Sequence, residues 1–542
     1  MTRKHDNKWL TLAVLAGSLA MIVLDGTIVG VSLPAMIQDL GMDLTQGQWV
    51  NSLYAVVMAA LLMTSGRLGD RVGRRKLLAC GVGLFVLGSL AAALSTGAGM
   101  LIAARAVQGI GGAAVLPSTL SSMNAIFRGR ERAAAFGVWG AVMSGAAAIG
   151  PLAGGAFTTY LDWRWIFWVN LPLGLLVLFG IRRFVPETTT ANTRGGFDVL
   201  GVLFSALGFG LLVFVLIEGP SWGWLSPRRT VDIGPWQWPA EAVVSPIPVL
   251  GAVSLLALAA FIGWELRRSR HKQSTLLDLS LFSYSTFTWG NATAAMVAMG
   301  EFGLLLVLPL YLINVWGADP MGAGLILAGM AAGAFLSGAL ARRLAARMGA
   351  DRVVVLGLGL EILGVAALVL VLRVGAPMPA LVGFLVLYGL GLGLASAQLT
   401  STVLRDIPTA ASGQGSATQS TVRQLGSGFG TAIAGSVLAV VTTHAATTKL
   451  EALSLPGINA AEWAQKLSDS AGGLIPLVLH THAGAAFGEH AAQVAGLMSD
   501  AFTSGVEAAM GTAGICLMVG WIGSLLLSRA AQHKTPLPPS AP

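Results

Sequence analysis

The stretch that decides the fold reads GRLGDRVGRRK, residues 66–76, and lies between two long apolar segments. Neither flanking segment, 54–65 or 77–94, contains Asp, Glu, Lys, Arg or His. Charges confined between two such segments lie where a membrane ends and water begins. This basic turn holds one acid, Asp70, and five cations, which are Arg67, Arg71, Arg74, Arg75 and Lys76. Because short basic loops stay on the cytoplasmic side of a membrane, the pattern predicts a cytoplasmic loop that joins two spanning helices.

The composition is that of a chain embedded mostly in lipid. Of its 542 residues, 55% are hydrophobic and 11% are charged, whereas soluble proteins are about 25% charged. The net charge is +8, but the cations lie between apolar segments and not on one face of a soluble domain, so nucleic acid is not an expected partner. Cys80 and Cys516 lie in separate apolar segments. Since His480 and His482 lack the spacing and the companion cysteines of a metal site, we expect no metal.

Fourteen segments are long and apolar enough to span a membrane, since a spanning helix needs about 20 such residues. They are residues 9–33, 49–66, 77–95, 99–124, 134–160, 163–184, 197–218, 246–266, 286–314, 320–341, 352–372, 379–404, 412–443 and 502–528. Most of the 33 Lys and Arg fall at the two ends of the chain and in the loops on the side of the basic turn. Both termini are therefore predicted to be cytoplasmic. The two longer connections, 220–248 and 444–500, are predicted on the outer side, the second as a helical or hairpin excursion.

The glycines, the acid and the cations of the basic turn resemble the signature loop between helices 2 and 3 of the major facilitator superfamily of transporters. In that resemblance the turn is a conformational latch, formed here by Gly66, Asp70, Arg71, Gly73 and Arg74. A degenerate copy, ARRLAARMGADR at 341–352, follows the tenth predicted helix, as expected for duplicated bundles.

The resemblance implies an all-α membrane protein with the major facilitator fold, consisting of two six-helix bundles plus two inserted helices. The first bundle is predicted over 1–190 and the insert, with its outer loop, over 191–275. The second bundle is predicted over 276–542 and includes the long outer loop 444–500. The resemblance also implies a monomer in the lipid bilayer.

Two opposite charges are predicted inside spanning helices. Asp25 lies in LDGTIVGVSLP at 24–34, and Arg105 lies at a similar depth in LIAARAVQGIGGAAVLPS at 101–118. An acid at that depth is costly unless it faces an aqueous cavity or a partner. We therefore expect Asp25 to pair with Arg105, either as a switch in proton transfer or as a structural ion pair, and we expect the acid to contribute negative charge to a central cavity.

Both segments resemble transporter motifs. The first resembles the first-helix motif of the fourteen-helix drug:proton antiporter family, although Gly30 and Ser32 stand where that family usually has Asn and Ala. The second resembles the helix-four motif of the superfamily, whose arginine is linked to proton transfer and which Gln108 also matches. The resemblance assigns proton coupling and substrate binding to Asp25 and Arg105.

The fifth predicted helix contains GVWGAVMSGAAAIGPLAGG at 137–155. Small residues at helical spacing allow close packing, and a proline breaks the backbone hydrogen-bond ladder near the outer end. The stretch resembles the antiporter motif of drug-exporting members, which would be formed here by Gly150, Pro151, Gly154 and Gly155. WRWIFWVNLP at 163–172 resembles the helix-six opening of the same fourteen-helix family.

The C-terminal half offers fewer motifs. Glu301 lies near the middle of the ninth predicted helix and is expected to line the central cavity as a second carboxylate. Glu361 is expected in a packing or polar-network role, and Arg423 might pair with either acid or lie near the basic turn. Tyr54 belongs to a set of aromatic and methionine residues that would form a pliable apolar pocket.

Together the resemblance and the buried charges imply a proton-coupled multidrug exporter of lipophilic, cationic compounds, working by alternating access in the cell membrane. It needs no cofactor, because the proton gradient drives it, and no phosphate-binding loop of the GxxxxGK[ST] type occurs. The alternative is a dedicated exporter of a metabolite, a lipid or a self-made antibiotic on the same scaffold. A membrane enzyme or a sensor is less favoured, because an enzyme requires a clustered catalytic set and all seven histidines lie outside the predicted helices.

Overall fold

The computed structural model describes residues 3–127, 129–188, 198–233, 236–271, 273, 275–408, 412–453, 455, 458–480 and 482–532. For some residues inside the helices it describes the backbone and not the side chain, and Asp70 is one of them. The regular secondary structure of the described chain is helical apart from one antiparallel pair of strands, in which β1 (Val231–Ile233) pairs with β2 (Trp236–Trp238). This pair lies in the predicted outer connection 220–248.

The helices follow one another with short connections. They are α1 (Arg3–Leu40), α2 (Leu44–Val72), α3 (Arg74–Ala93), α4 (Ala98–Ile126), α5 (Gly129–Tyr160), α6 (Trp165–Trp168), α7 (Asn170–Phe184), α8 (Val199–Trp222), α9 (Pro246–Arg270), α10 (Ser285–Asn314), α11 (Pro320–Met348), α12 (Ala350–Val371), α13 (Met378–Val403), α14 (Ser412–Ala452), α15 (Ala460–Asp469), α16 (Leu474–His480) and α17 (Ala491–Gln532), with 3-10 helices at Leu279–Ser283 and His482–His490.

Twelve helical segments in the described part of the chain are long and apolar enough to cross a membrane. Helices α6 and α7 form one of these together, from Trp165 to Phe184. The two other predicted spans correspond to α2 and α5, which have 29 and 32 residues and pack among the twelve. The prediction of an all-α membrane fold is therefore confirmed.

The long helices pack in two groups. In the first, α1 packs on α5 and α7, and α4 packs on α2 and α3. In the second, α13 packs on α11 and α12, and α17 packs on α10, α12 and α14. The groups meet where α5 contacts α11 and α2 contacts α14, while the pair α8 and α9 is attached through α2 and α14. The division of the chain at 190 and 275 stays a prediction.

Successive long helices run in opposite directions, so the chain has two ends along the bundle axis. We call the end that carries the basic turn the basic face, and the end where α1 finishes and α2 begins the distal face. Asp43 caps α2 at the distal face, where its side chain accepts a hydrogen bond from the backbone N–H of Gln46 at 2.7 Å. The Gln46 side chain accepts one from the N–H of Asp43 in return, which satisfies two otherwise unpaired donors at the start of the helix.

The predicted excursion at 444–500 is mostly helical. Helix α14 continues to Ala452 and α17 begins at Ala491, so both are longer than the predicted spans 412–443 and 502–528. A hydropathy criterion ends a predicted span at the first polar residues, whereas the helix itself can extend beyond the membrane into the aqueous phase. Helix α15 lies against α14, and burial raises the pKa of Asp469 at its end, with an opposing effect of the hydrogen bond that Gln465 donates at 2.7 Å.

Candidate functional site

A cavity of about 280 Å³ lies between the two helix groups. Aliphatic side chains dominate its wall, and its charged residues among those described are Arg105, Glu301 and Arg423. The wall runs from the middle of the helices toward the basic face, because it includes Leu404, directly after the end of α13, and Ser416 near the start of α14. The cavity is therefore of a size and chemistry that suit a small lipophilic molecule.

Backbone contacts close the distal half of the molecule. A Cβ atom added to Gly155 of α5 would lie 2.5 Å from the carbonyl oxygen of Pro320, and one added to Gly324 of α11 would lie 2.6 Å from that of Pro151. A Cβ atom on Gly30 of α1 would lie 3.2 Å from the carbonyl oxygen of Leu305 in α10. Since the two groups touch in the distal half and the cavity wall extends to Leu120, Leu404 and Ser416 near the basic face, we infer that the cavity opens toward the basic face.

The predicted antiporter motif in α5 lies between two partner helices. Gly150 and Gly154 face α1, where a Cβ atom on Gly154 would lie 2.6 Å from the carbonyl oxygen of Ile28. Gly155 and Pro151 instead face α11, as described above. The small residues thus let one helix pack closely within its own group and against the other group at once.

Asp25 is buried in a network of hydrogen-bond donors. Its side chain pairs with Arg105, whose Nη1 lies 2.5 Å from Oδ2 of Asp25. The amide nitrogens of Gln108 and Asn170 each donate to Oδ1 at 2.9 Å. Both amides also donate to the hydroxyl of Ser89. Three donors on one carboxylate satisfy the hydrogen-bonding requirement of a buried acid.

Arg105 is as completely enclosed as its partner. Its Nε donates to the carbonyl oxygen of Val50 at 3.1 Å, and Nη1 donates to Oε1 of Gln108 at 2.9 Å. The guanidinium carbon lies 4.2 Å from the centre of the Tyr54 ring, a cation–π contact. The arginine thereby links α1, α2 and α4.

The predicted pairing of Asp25 with Arg105 is confirmed, but the predicted exposure of Asp25 to the cavity is wrong for this structure. Arg105 and Tyr54 form the cavity wall at that point, and Asp25, which is 1% exposed, lies behind them. The arginine side chain is longer than that of aspartate, so Arg105 and the Tyr54 ring that it contacts cover Asp25 and separate it from the cavity.

Sequence reasoning missed Asn170 and Ser89. Asn170 stands in the stretch WRWIFWVNLP, where an amide among apolar and aromatic residues was the available signal. Ser89 carries no such signal, because single serines are common in membrane helices and usually bond their own backbone. Ser89 in fact also donates to the carbonyl oxygen of Phe85 at 2.9 Å.

The C-terminal acids differ from each other in their surroundings. Glu301 lines the cavity, and its Oε2 lies 3.9 Å from Nη2 of Arg423, which decides between the predicted partners of that arginine. Glu361 is fully buried in α12, and neither carboxylate oxygen has a hydrogen-bond partner in the described structure. The predicted polar network around Glu361 is therefore not formed by hydrogen bonds among the described residues.

The basic turn is held by hydrogen bonds to α4 and to the segment that follows α7. Gly73 separates α2 from α3 with a φ of 113°, and Arg74 donates to the carbonyl oxygen of Ser121 in α4 at 3.1 Å. Glu187, beyond the end of α7, accepts a hydrogen bond from the backbone N–H of Arg75 at 3.1 Å. An acid at this helix N-terminus is stabilised by the helix dipole. The Asp70 side chain, the predicted acid of the latch, lies outside the described part, and Arg71 is exposed at the end of α2.

Gly66, the first residue of the turn, packs against α4. A Cβ atom there would lie 3.6 Å from Cβ of Pro117, an ordinary contact distance. Of the two glycines in the predicted latch, only Gly73 thus has a backbone conformation that requires glycine.

We expect Gly73→Ala to destabilise the folded protein by about 1–3 kcal/mol, because a φ of 113° strains any residue with a side chain. The new Cβ atom would also lie 2.7 Å from the carboxyl carbon of Glu187. Gly83→Ala in α3 is the matched control, since nothing lies within 4 Å of its Cβ position, and alanine suits a helix interior. Thermal unfolding in detergent measures both. Equal midpoints for the two variants would contradict the expectation.

A cavity between two helix groups, closed at the distal end and lined by the arginine of a buried ion pair, is an arrangement that suits a membrane transporter. The sequence profile described as the Major Facilitator Superfamily matches residues 15–431, and the chain belongs to this superfamily. The multi-pass membrane location follows from it.

Several known proteins are similar. The multidrug resistance protein Stp of Mycobacterium tuberculosis is 32% identical over 94% of this chain and 91% of its own length. A probable actinorhodin transporter of Streptomyces coelicolor is 32% identical over 82% of this chain and 75% of its own. Among solved structures, a bacterial homologue of the human lysosomal transporter Spinster, in an inward-facing and occupied conformation, has a TM-score of 0.61 at 14% identity and covers 96% of both chains. That likeness supports the fold.

Proposed function

We propose that this protein is a proton-coupled exporter of lipophilic, cationic compounds and a member of the fourteen-helix drug:proton antiporter family. The observation that carries the proposal is the largely apolar cavity with an acid, Glu301, in its wall. Relatives named for multidrug resistance support the direction of transport. We further propose that the protein works as a monomer in the cell membrane with both ends of the chain in the cytoplasm, so that the cavity faces the compartment from which an exporter takes its cargo.

In this proposal cargo and protons compete for the same negative charge. The ion pair of Glu301 with Arg423 is long at 3.9 Å, and the glutamate side chain is 14% exposed to the cavity. A cation that enters the cavity can therefore approach Glu301 while Arg423 withdraws. After the two bundles rock to open the distal face, a proton from outside neutralises the acid and the cargo leaves.

Asp25 and Arg105 have a different part in the cycle. Because Asp25 is saturated with donors and covered by Tyr54 and Arg105, it holds the arginine in place in this state. A rearrangement that separates the pair would expose both charges. We propose that this separation accompanies the opening of the distal face and couples the first helix group to the second.

A dedicated exporter of one antibiotic or metabolite is the second candidate, and the similarity to a probable actinorhodin transporter favours it. The scaffold and the coupling would be the same, and the range of cargo would be narrower. A panel of chemically unrelated lipophilic cations separates the two candidates.

The test is transport of ethidium in proteoliposomes of the purified protein, with an imposed proton gradient. We expect transport that depends on the gradient, and we expect Glu301→Gln to reduce it roughly tenfold, since a contact to a charged group is worth about 1.5–3 kcal/mol. Glu462→Gln, which alters an exposed acid of α15, is the control and should transport normally. Equal rates with and without the gradient would refute proton coupling. If ethidium is not transported while one other compound is, the dedicated exporter becomes the better proposal.

A further inference from the structure

The two helix groups balance their buried charges differently. In the first group one carboxylate, Asp25, has its own arginine and two amide donors. In the second group Arg423 lies 3.9 Å from one carboxylate, Glu301, and the other carboxylate, Glu361, is fully buried without a hydrogen-bond partner in the described structure. The second group therefore carries one acid more than its cation can neutralise.

Glu361 lies outside the cavity, in the contact between α12 and α13. Its Cγ atom would be 2.9 Å from a Cβ atom on Gly391 of α13. Gly393, two residues further on, belongs to the cavity wall. The buried acid and the cavity are thus separated by one helix, α13, at a stretch that contains Gly391 and Gly393.

None of the described residues around Glu361 forms a hydrogen bond with its carboxylate. The hydroxyl of Tyr388, one helical turn before Gly391, is itself buried without a hydrogen-bond partner in the described structure. The charges of Glu301 from α10 and Arg423 from α14 act on Glu361. The other helices packed on α12 carry their titratable groups elsewhere: in α17 these are Asp500, Glu507, Cys516 and Arg529, and in α11 the described ones are Arg343 and Arg347.

A fully buried carboxylate without a hydrogen bond is neutral, because removing a bare charge from water costs far more than taking up a proton. Arg423 lies beside the other acid, Glu301, at 3.9 Å, so Glu361 has no cation of its own at ion-pair distance among the described residues. The set of two acids and one arginine is therefore electrically balanced when it holds a single proton.

We propose that Glu361 is a proton-binding residue of the transport cycle, placed behind the cavity and linked to Glu301 through the arginine that they share. The inference rests on the proposed proton-coupled export. When a cationic cargo binds Glu301, Arg423 becomes available to Glu361. The O–H bond of the Glu361 carboxyl group then breaks, the proton passes to water in the cavity, and the carboxylate takes the arginine as its counter-ion.

The experiment measures protons released when ethidium binds to the purified, full-length protein in weakly buffered detergent solution, with a pH indicator. We expect the wild type to release protons on binding. Glu361→Gln should still bind ethidium, with an affinity that depends less on pH than that of the wild type, and proton release should be roughly halved or lost, because the cargo and the proton are linked through this carboxyl group. Glu218→Gln is the matched control: it removes a carboxylate from membrane helix α8, where Trp49 donates to it at 2.9 Å, and it should release as many protons as the wild type.

The outcomes separate the two proposals. Wild-type release that persists in full in Glu361→Gln overturns the role of Glu361 and leaves proton-coupled export standing. Binding without any release in the wild type refutes the coupling and the inference together. If Glu361→Gln does not fold, Glu361→Asp keeps a carboxyl group but sets it back by one methylene. We expect that variant to release protons with a shifted pH profile, and a profile identical to the wild type would overturn the proposal.

Discussion

Asp25→Asn is expected to abolish transport and to lower the free energy of unfolding by about 3–5 kcal/mol, the range found when one partner of a buried ion pair is removed. Arg105 would remain 0% exposed and charged, with only neutral acceptors around it. An arginine does not escape this cost by losing its proton. Thermal unfolding in detergent and transport in proteoliposomes measure the two effects.

A second ion pair involving α1 provides the control. Asp39 contacts Arg164 at 2.8 Å, and the two side chains are 46% and 27% exposed. Because exposed pairs contribute about 0–1 kcal/mol, Asp39→Asn should change stability little. The double variant Asp25→Asn/Arg105→Gln removes both buried charges and should recover much of the stability without recovering transport. A stable Asp25→Asn protein that still transports would show that neither folding nor coupling needs this acid.

The sequence was sufficient to predict this ion pair because charges inside apolar segments are rare and expensive. Asp25 and Arg105 are opposite charges that both lie inside predicted spans, and they are at matching depths. Asn170 was not predictable in the same way, since a neutral amide in a helix has many possible partners. Its contact with Asp25 depends on how α7 is rotated against α1, and rotation is set by packing that hydropathy does not encode.

Whether a buried acid such as Asp25 is exposed to the cavity was the property hardest to predict from the sequence. An alternating-access protein places the same residues in different surroundings in its different states, so one sequence does not fix whether Asp25 meets water. The isolation of Glu361 likewise depends on the close approach of α12 to Gly391, and the contact of Glu187 with α3 joins segments more than a hundred residues apart. By contrast, the long apolar helices follow from length and apolarity alone, which is why their positions and order could be predicted, and twelve of the fourteen predicted spans meet that criterion in the described part of the chain.

Gly155→Val is expected to shift the protein away from the conformation with a closed distal half. In this structure the Cβ position of Gly155 lies 2.5 Å from the carbonyl oxygen of Pro320 and 3.0 Å from Cα of Met321. Both are backbone atoms, so no side-chain rotation relieves the contact. Overpacking of this kind costs about 1–3 kcal/mol, and the conformation in which α5 and α11 separate avoids the cost.

Spin labels on cysteines introduced at Tyr160 and Val374, both exposed near the distal face, would measure the separation in a protein whose Cys80 and Cys516 have been replaced. We expect Gly155→Val to enlarge the population with the longer label distance roughly tenfold, since about 1.4 kcal/mol corresponds to a factor of ten, and to slow transport because the distal side no longer reseals. Gly145→Val in the same helix is the control, as nothing lies within 4 Å of its Cβ position. An unchanged distance distribution in Gly155→Val would mean that the contact between α5 and α11 does not hold the distal half closed, and the other contacts between the groups, α1 with α10 and α2 with α14, would then be the candidates for the seal.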